Sequence, residues 1–287
     1  MTKKLLLAST VLAGMTAVAS AADLPRREPP PVFTPIPVFT WTGFYAGLES
    51  TYTFTDRQRI TTTGISPANV ANVQALRRPP LATTETDGIG KIGGTAGYNY
   101  QFTPGSGFVL GGAVSVDWTD IHKGRFSLDA PSVVGGAPNP NYFRQSLEYL
   151  GTVTGRVGYA FDRFMVYGTG GFAFGEVQYD ANFYTPGGAL AFAGRTNNLE
   201  TGYAYGGGVE YAIPTDSFLN TFAFAKYLGL KYDAVTIKAE YLHYDLGSRN
   251  VIVGSFNGVG PGAGYISRFR TEGSIIRAGF NYKFGGL

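Results

Sequence analysis

No stretch after residue 40 holds the roughly 18 consecutive apolar residues that a membrane helix requires. What recurs instead is alternation of apolar and polar residues, in windows of about ten to fifteen residues separated by clusters of Gly, Pro, Asn and Ser. A period of two puts successive side chains on opposite faces of a strand, so the chain is confined to all-β architectures with one apolar and one polar face. Composition agrees. Glycine makes up 41 of 287 residues, roughly twice its usual ~7% share, and 21 Phe and 19 Tyr stand against 3 Met, a mixture that suits strands and turns better than a helical bundle. With no cysteine, disulfide frameworks and thiolate metal sites are excluded.

Eight windows alternate: 41–55, 87–102, 107–119, 145–161, 163–179, 200–213, 234–244 and 272–284. The first sets Phe44, Ala46 and Leu48 against Gly43, Gly47 and Glu49, and the last sets Ile276, Ala278, Phe280, Tyr282 and Phe284 against Arg277, Gly279, Asn281 and Lys283. The fifth is ambiguous, because Glu176 shares the parity of Phe164, Val166, Phe172 and Phe174. Charges on the polar faces are Glu49, Lys91, Asp117, Glu148, Arg156, Glu210, Lys238, Glu240, Arg277 and Lys283, five acids and five bases.

Such a pattern fits a soluble barrel with its apolar face inside or a transmembrane barrel with that face outside. Two features favour the membrane. The links alternate in length, short at 103–106 and Asp162, long at 56–86, 120–144, 181–199 and 248–271. Aromatic residues also gather in two belts. One lies beside the short links (Trp41, Phe44, Tyr100, Phe102, Phe108, Tyr159, Phe161, Phe164, Tyr211, Tyr282, Phe284) and the other toward the long ones (Tyr52, Trp118, Tyr149, Tyr203, Tyr241). The expectation is an eight-stranded antiparallel up-and-down transmembrane β-barrel with the ten charges in its lumen.

Residues 1–21 read as an export signal: Lys3 and Lys4, an apolar run from Leu5 to Val18, then Ala19-Ser20-Ala21. Removing it leaves 21 basic and 20 acidic residues of the original formal +3, a balance that suggests no nucleic-acid partner. Residues 22–40 are too rich in proline to join a sheet and read as an extended periplasmic tether, which leaves 41–287 for the barrel and its extracellular loops.

Catalytic and cofactor signals are absent or lack context. Gly88-Ile-Gly-Lys-Ile-Gly93 and Gly168-Thr-Gly-Gly-Phe-Ala173 match dinucleotide fingerprints in letters, but each lies inside an alternating strand with no helix after it. His122, at the end of the third strand, and His243, near the end of the seventh, lie on strands that would not be neighbours in an eight-stranded barrel, and neither has a second ligand at suitable spacing. No nucleophile, base and carboxylate come in a supporting context, so neither enzymatic activity nor a cofactor is expected.

Several segments resemble the porin-family outer-membrane immunogenic proteins, small OmpA-like β-barrels of Gram-negative bacteria. They are the Asp23-Leu-Pro start with its proline tether, Phe39-Thr-Trp-Thr-Gly-Phe-Tyr-Ala-Gly47, Lys238-Ala-Glu-Tyr-Leu-His-Tyr-Asp245 and Arg277-Ala-Gly-Phe-Asn-Tyr-Lys-Phe284. The resemblance implies an eight-stranded surface antigen of the outer membrane, and some members are described as haemin-binding. Two departures stand out. Residues 214–233 form a long connection where a short turn is expected, and Phe218-Leu-Asn-Thr-Phe-Ala-Phe-Ala could add a hairpin, making ten strands. The chain also ends Gly285-Gly-Leu287 where barrels normally finish on an aromatic residue.

An eight-stranded barrel is only wide enough for side chains to fill it. Balanced charges inside should therefore pair and plug the lumen, giving a role in envelope structure and surface display; the alternative is a small porin or a haemin-uptake surface protein. Outward arginines in the long loops, Arg57, Arg59, Arg77, Arg78, Arg249, Arg268 and Arg270, are candidates to contact lipopolysaccharide phosphates. The expected partners are outer-membrane lipid and lipopolysaccharide, the barrel-assembly machinery, and peptidoglycan through the tether.

Overall fold

The computed structural model describes residues 38–54, 58–84, 88–128, 139–214, 234–260 and 262–284, without side chains for 120–128. The export signal, nearly all of the tether, Arg57, residues 215–233 and the C-terminal tripeptide lie outside them. Among the described residues ten strands form, β1 (Gly43–Phe54), β2 (Gln58–Gly64), β3 (Leu81–Thr84), β4 (Gly88–Gln101), β5 (Ser106–Leu128), β6 (Pro140–Phe161), β7 (Phe164–Tyr184), β8 (Leu190–Ile213), β9 (Ala234–Ser255) and β10 (Tyr265–Phe284), with one helix, α1 (Pro67–Gln74). No helix among the described residues is long and apolar enough to cross a membrane.

The sheet closes as an antiparallel ring in the order β1-β4-β5-β6-β7-β8-β9-β10 and back to β1. The ring has eight walls although there are ten strands, because β2 continues β1 along β10. Phe54 pairs with Ser274, and beyond the break Ile60 pairs with Phe269. On the other side β3 pairs with β2 as β4 pairs with β1. The hairpin proposed in 214–233 lies outside the described residues.

One end carries the tight turns. Phe161 pairs with Phe164 across Asp162, whose φ of 55° is the left-handed conformation that Asp, Asn and Gly tolerate best. At this end the outward aromatics are Phe44, Tyr100, Phe102, Phe108, Tyr159, Phe161, Phe164 and Tyr211. Ten residues further along their strands come Phe54, Trp118, Tyr149 and Phe174, opposite Phe44, Phe108, Tyr159 and Phe164 respectively. Ten residues at ~3.3 Å and ~40° of tilt span about 25 Å, the height of an outer-membrane apolar band. Trp41 is a correction to the belt: it is buried, packing inward against Val109, Ala160, Met165, Tyr167 and Ala212.

The strands run far past the second belt, which corrects the long loops of the sequence reading. Of 181–199, only a five-residue turn separates β7 from β8, and of 248–271 only the stretch between Ser255 and Tyr265 is outside strands. The reason is an inversion of the apolar face. In β7, Phe172 and Phe174 face outward within the apolar band, whereas Val177, Tyr179, Ala181 and Phe183 point inward above it, opposite outward Gln178, Asp180 and Asn182. Lipid surrounds the lower wall and water the upper one, so the apolar side chains change sides along a single strand. The inward set builds a core with Phe143, Leu150, Phe192, Leu242, Tyr244, Val251, Val253, Tyr265 and Phe269, and Ile60 of β2 belongs to it.

The first connection folds onto this upper core. Ser66 caps α1, its Oγ accepting from the Asn69 amide at 3.4 Å, and Pro67 begins the helix. Asn69 Oδ1 in turn accepts from the Gly264 amide at 3.2 Å, and Val73 packs on the core.

Candidate functional site

Between the upper core and the Trp41 layer, the lumen is crossed by charge. Glu49, Asp117, Arg156, Glu210, Lys238, Glu240, Arg277 and Lys283 are all buried and face inward, four acids and four bases. Alternation along β1, β5, β6, β8, β9 and β10 points them into the lumen. Arg277 on β10 is the hub, only 1% exposed. Its Nη2 lies 2.6 Å from Asp117 Oδ2 across the lumen, Nη1 3.2 Å from Glu240 Oε1 and Nε 3.9 Å from Glu49 Oε1, and Nη2 also donates to Thr152 Oγ1 at 3.2 Å. Lys238 Nζ meets Glu49 Oε2 at 2.6 Å.

Lower down, Arg156 Nη1 pairs with Glu210 Oε2 at 3.3 Å, while its guanidinium lies over the rings of Tyr45 (5.0 Å) and Tyr167 (4.5 Å). Glu210 Oε1 also accepts from Thr236 Oγ1 and from Asn281 Nδ2. Tyr167 OH donates to Glu240 Oε2 at 2.9 Å, joining the two groups. Alternation alone did not single out Tyr45 and Tyr167; the signal was their parity, which matches Gly47 and Glu49 in one case and differs from Phe164 and Val166 in the other. Their rings fit because glycines face them: a Cβ on Gly97 would meet Tyr45 OH at 2.4 Å.

At the tight-turn end the residues preceding β1 pack inside the ring. Trp41 Nε1 donates to the Asp162 carbonyl at 3.0 Å, its amide donates to Gln101 Oε1 at 2.7 Å, and Gln101 Nε2 reaches the Gly105 carbonyl at 3.0 Å.

Two expected lumen charges are elsewhere. In β4 the pairing with β1 slips between Ser50 and Tyr52, so Lys91 and Ile92 both face outward between inward Gly90 and Gly93. In β6 the pairing with β7 slips between Leu147 and Tyr149, and Glu148 and Tyr149 both leave the inward set formed by Leu147 and Leu150. A bulge adds one residue and reverses parity, which alternation read from one strand cannot detect. Each bulge removes one charge of opposite sign, so the lumen stays balanced.

Of the loop arginines, Arg78 is a correction. It is buried, with Nη1 on Asn141 Oδ1 at 3.0 Å, Nη2 on the Tyr184 carbonyl at 2.8 Å, and its guanidinium 5.2 Å from the Phe183 ring, pinning the first connection to β6 and β7. Arg249 forms a forked pair with Glu200 (2.6 and 3.0 Å), and this hydrogen-bonded carboxylate holds the guanidinium's pKa above its ordinary value. Glu200 is buried, and it stands at the very edge of the sixth alternating window, where alternation marks a face least clearly. Arg270 is shared by Glu272 (2.7 Å) and Asp245 (3.0 Å). Arg59, Arg77 and Arg268 are exposed. His243 faces outward beside Tyr205, with Nδ1 3.3 Å from Ser274 Oγ; the side chain of His122 lies outside the described ones. Among the described residues no three His, Cys, Asp or Glu come together as metal ligands.

A closed eight-walled β-barrel with two aromatic girdles, an apolar outer band and an inward charge layer defines an outer-membrane barrel protein. The comparisons give the family. No family model matches the chain. It is 30% identical over 285 residues to the 31 kDa outer-membrane immunogenic proteins of Brucella melitensis and Brucella suis, with 96% of this chain and 99% of the relatives covered. The chain belongs to this family of outer-membrane immunogenic proteins and resides in the outer membrane. Among solved structures, OprG of Pseudomonas aeruginosa aligns with 85% of this chain and 97% of its own length at 11% identity and a TM-score of 0.43.

Proposed function

We propose that this surface protein has a closed lumen and serves envelope structure and surface display, not general solute passage. The observation that carries the reading is Arg277, bound across the lumen to Asp117 and linked to Glu240 and Glu49, between a Trp41 layer below and an aromatic core above. A solute would have to break buried ion pairs and displace packed rings in succession, each costing several kcal/mol on the order of magnitude known for buried pairs. The upper wall, the Arg78-pinned first connection and the turns at 185–189 and 256–264 form the displayed surface. Exposed Arg59 and Arg268, on the outer faces of neighbouring β2 and β10, suit lipopolysaccharide phosphates. The assembly machinery, and peptidoglycan through the tether, complete the proposed partners.

Single-channel recording on the purified refolded protein tests this reading. Bilayers should stay silent apart from brief irregular events, and large regular open steps would overturn the closed lumen.

A further inference from the structure

Three charged side chains break the lipid-facing pattern, and they meet. Lys91, Glu148 and Glu176 line one outward groove of about 400 Å3 with Trp118, Tyr149 and Asn197. Its floor is a single row of the sheet: Trp118 pairs with Tyr149, and Tyr149 with Glu176. Two separate bulges, in β4 and β6, turn Lys91 and Glu148 out of the lumen parity and into this groove. Bulges often re-aim a side chain beside a functional site, and two of them converging on one groove need an account beyond strand closure. The row is also the upper aromatic belt, about 25 Å above the lower one, so the groove opens where outer-leaflet headgroups lie.

We propose that this groove binds the sugar headgroup of an outer-leaflet glycolipid of the lipopolysaccharide class. The lining decides the chemistry. Trp118, 52% exposed, offers a flat apolar face for the C–H side of a pyranose. The carboxylates of Glu148 and Glu176 accept from hydroxyl or amino groups, Asn197 both donates and accepts, and Lys91 donates. Asn197 Nδ2 already orients Glu176 Oε1 at 2.8 Å, and Ser146 Oγ donates to Glu148 Oε1 at 3.3 Å, so both acceptors are held in place. Two carboxylates beside one ammonium repel a bare phosphate, which separates this site from the arginines of β2 and β10. The volume falls within the ~300–1,000 Å3 of small-ligand sites. The inference is independent of whether the lumen conducts.

The test uses the full-length mature chain refolded in phosphatidylcholine nanodiscs and follows Trp118 fluorescence, with W118F supplying the Trp41 background. The probes are lipopolysaccharide, free glucosamine and phosphatidylglycerol. Lipopolysaccharide should give a saturable change, and phosphatidylglycerol none. E148Q/E176Q should weaken the lipopolysaccharide titration about tenfold or more, as loss of hydrogen bonds to charged groups does. Heat-modifiable gel mobility checks folding; if that double variant does not fold, N197L and K91M replace it with the same expectation. A glucosamine response at millimolar concentration would show that the sugar alone suffices, and its absence with a groove-dependent lipopolysaccharide response would show that the lipid-anchored sugar is the ligand. Equal responses to phosphatidylglycerol and lipopolysaccharide, no response to lipopolysaccharide, or an unchanged titration in the groove variants would each overturn the proposal, and none would alter the single-channel result.

Discussion

Replacing Arg277 with Met removes the hub of the charge layer while keeping an unbranched side chain of similar length. Arg277 reaches three carboxylates, but they do not depend on it equally. Glu49 retains Lys238 at 2.6 Å, and Glu240 retains the Tyr167 hydroxyl at 2.9 Å. Asp117, which has no exposed surface, loses the guanidinium at 2.6 Å that pairs with it. The substitution therefore leaves in effect one uncompensated buried charge, and breaking a buried pair from one side costs ~3–5 kcal/mol. Guanidinium unfolding in detergent, followed by loss of the heat-modifiable form, measures that cost. The diagnosis comes from a second variant. R277M/D117N removes the orphaned charge as well and should recover more than half of the loss, because replacing both members of a buried pair is often close to neutral. R270A supplies the reference: Arg270 is half-exposed and should cost no more than ~1 kcal/mol despite its two carboxylate partners. If R277M costs no more than R270A, or if D117N fails to rescue it, the charge layer is not a desolvated network and the closed-lumen reading loses its physical basis.

Further outcomes follow from the same geometry. W41A removes the ring packed against Met165 and Ala160 and its bond to Asp162; it should cost ~3–5 kcal/mol in the same unfolding assay, and no loss would show that the ring does not seal the barrel. R78A frees the first connection from Asn141 and Tyr184, so limited proteolysis of intact cells should cleave within 65–80 faster while heat-modifiable mobility stays unchanged; equal cleavage rates would show that the pin is not what holds the segment. G206A should prevent assembly, since a Cβ at this position would meet the Tyr241 carbonyl oxygen of β9 at 1.9 Å; normal amounts of heat-modifiable protein would contradict that contact.

Alternation alone carried the eight walls, their in-or-out parity through the apolar band and the two girdles, because lipid outside and a narrow polar lumen inside act on every second residue. Phe44 and Glu49, or Phe280 and Arg277, face opposite ways for that local reason, and so most of the charge layer was legible. Where the outer solvent changes from lipid to water, the rule reverses: Val177, Tyr179 and Phe183 point inward, and the strand continues through what read as loop. Glu176 stands just at that reversal, which is why the fifth window looked ambiguous.

Other features depend on partners distant in sequence. A bulge is defined by two residues facing one across a ladder, so nothing in residues 87–102 or 145–161 taken alone reveals that Lys91 and Glu148 turn outward. Arg78 reads as a surface cation until β6 and β7 bring Asn141, Tyr184 and Phe183 around it, and Trp41 reads as a girdle residue until the ring closes over it. The sequence by itself determined that this chain forms an eight-walled barrel with charge inside, because period and polarity are local properties. Only the tertiary structure decided which charges share the lumen, which line the outer groove and which side chains pack inside the two ends, since those depend on register and ring closure.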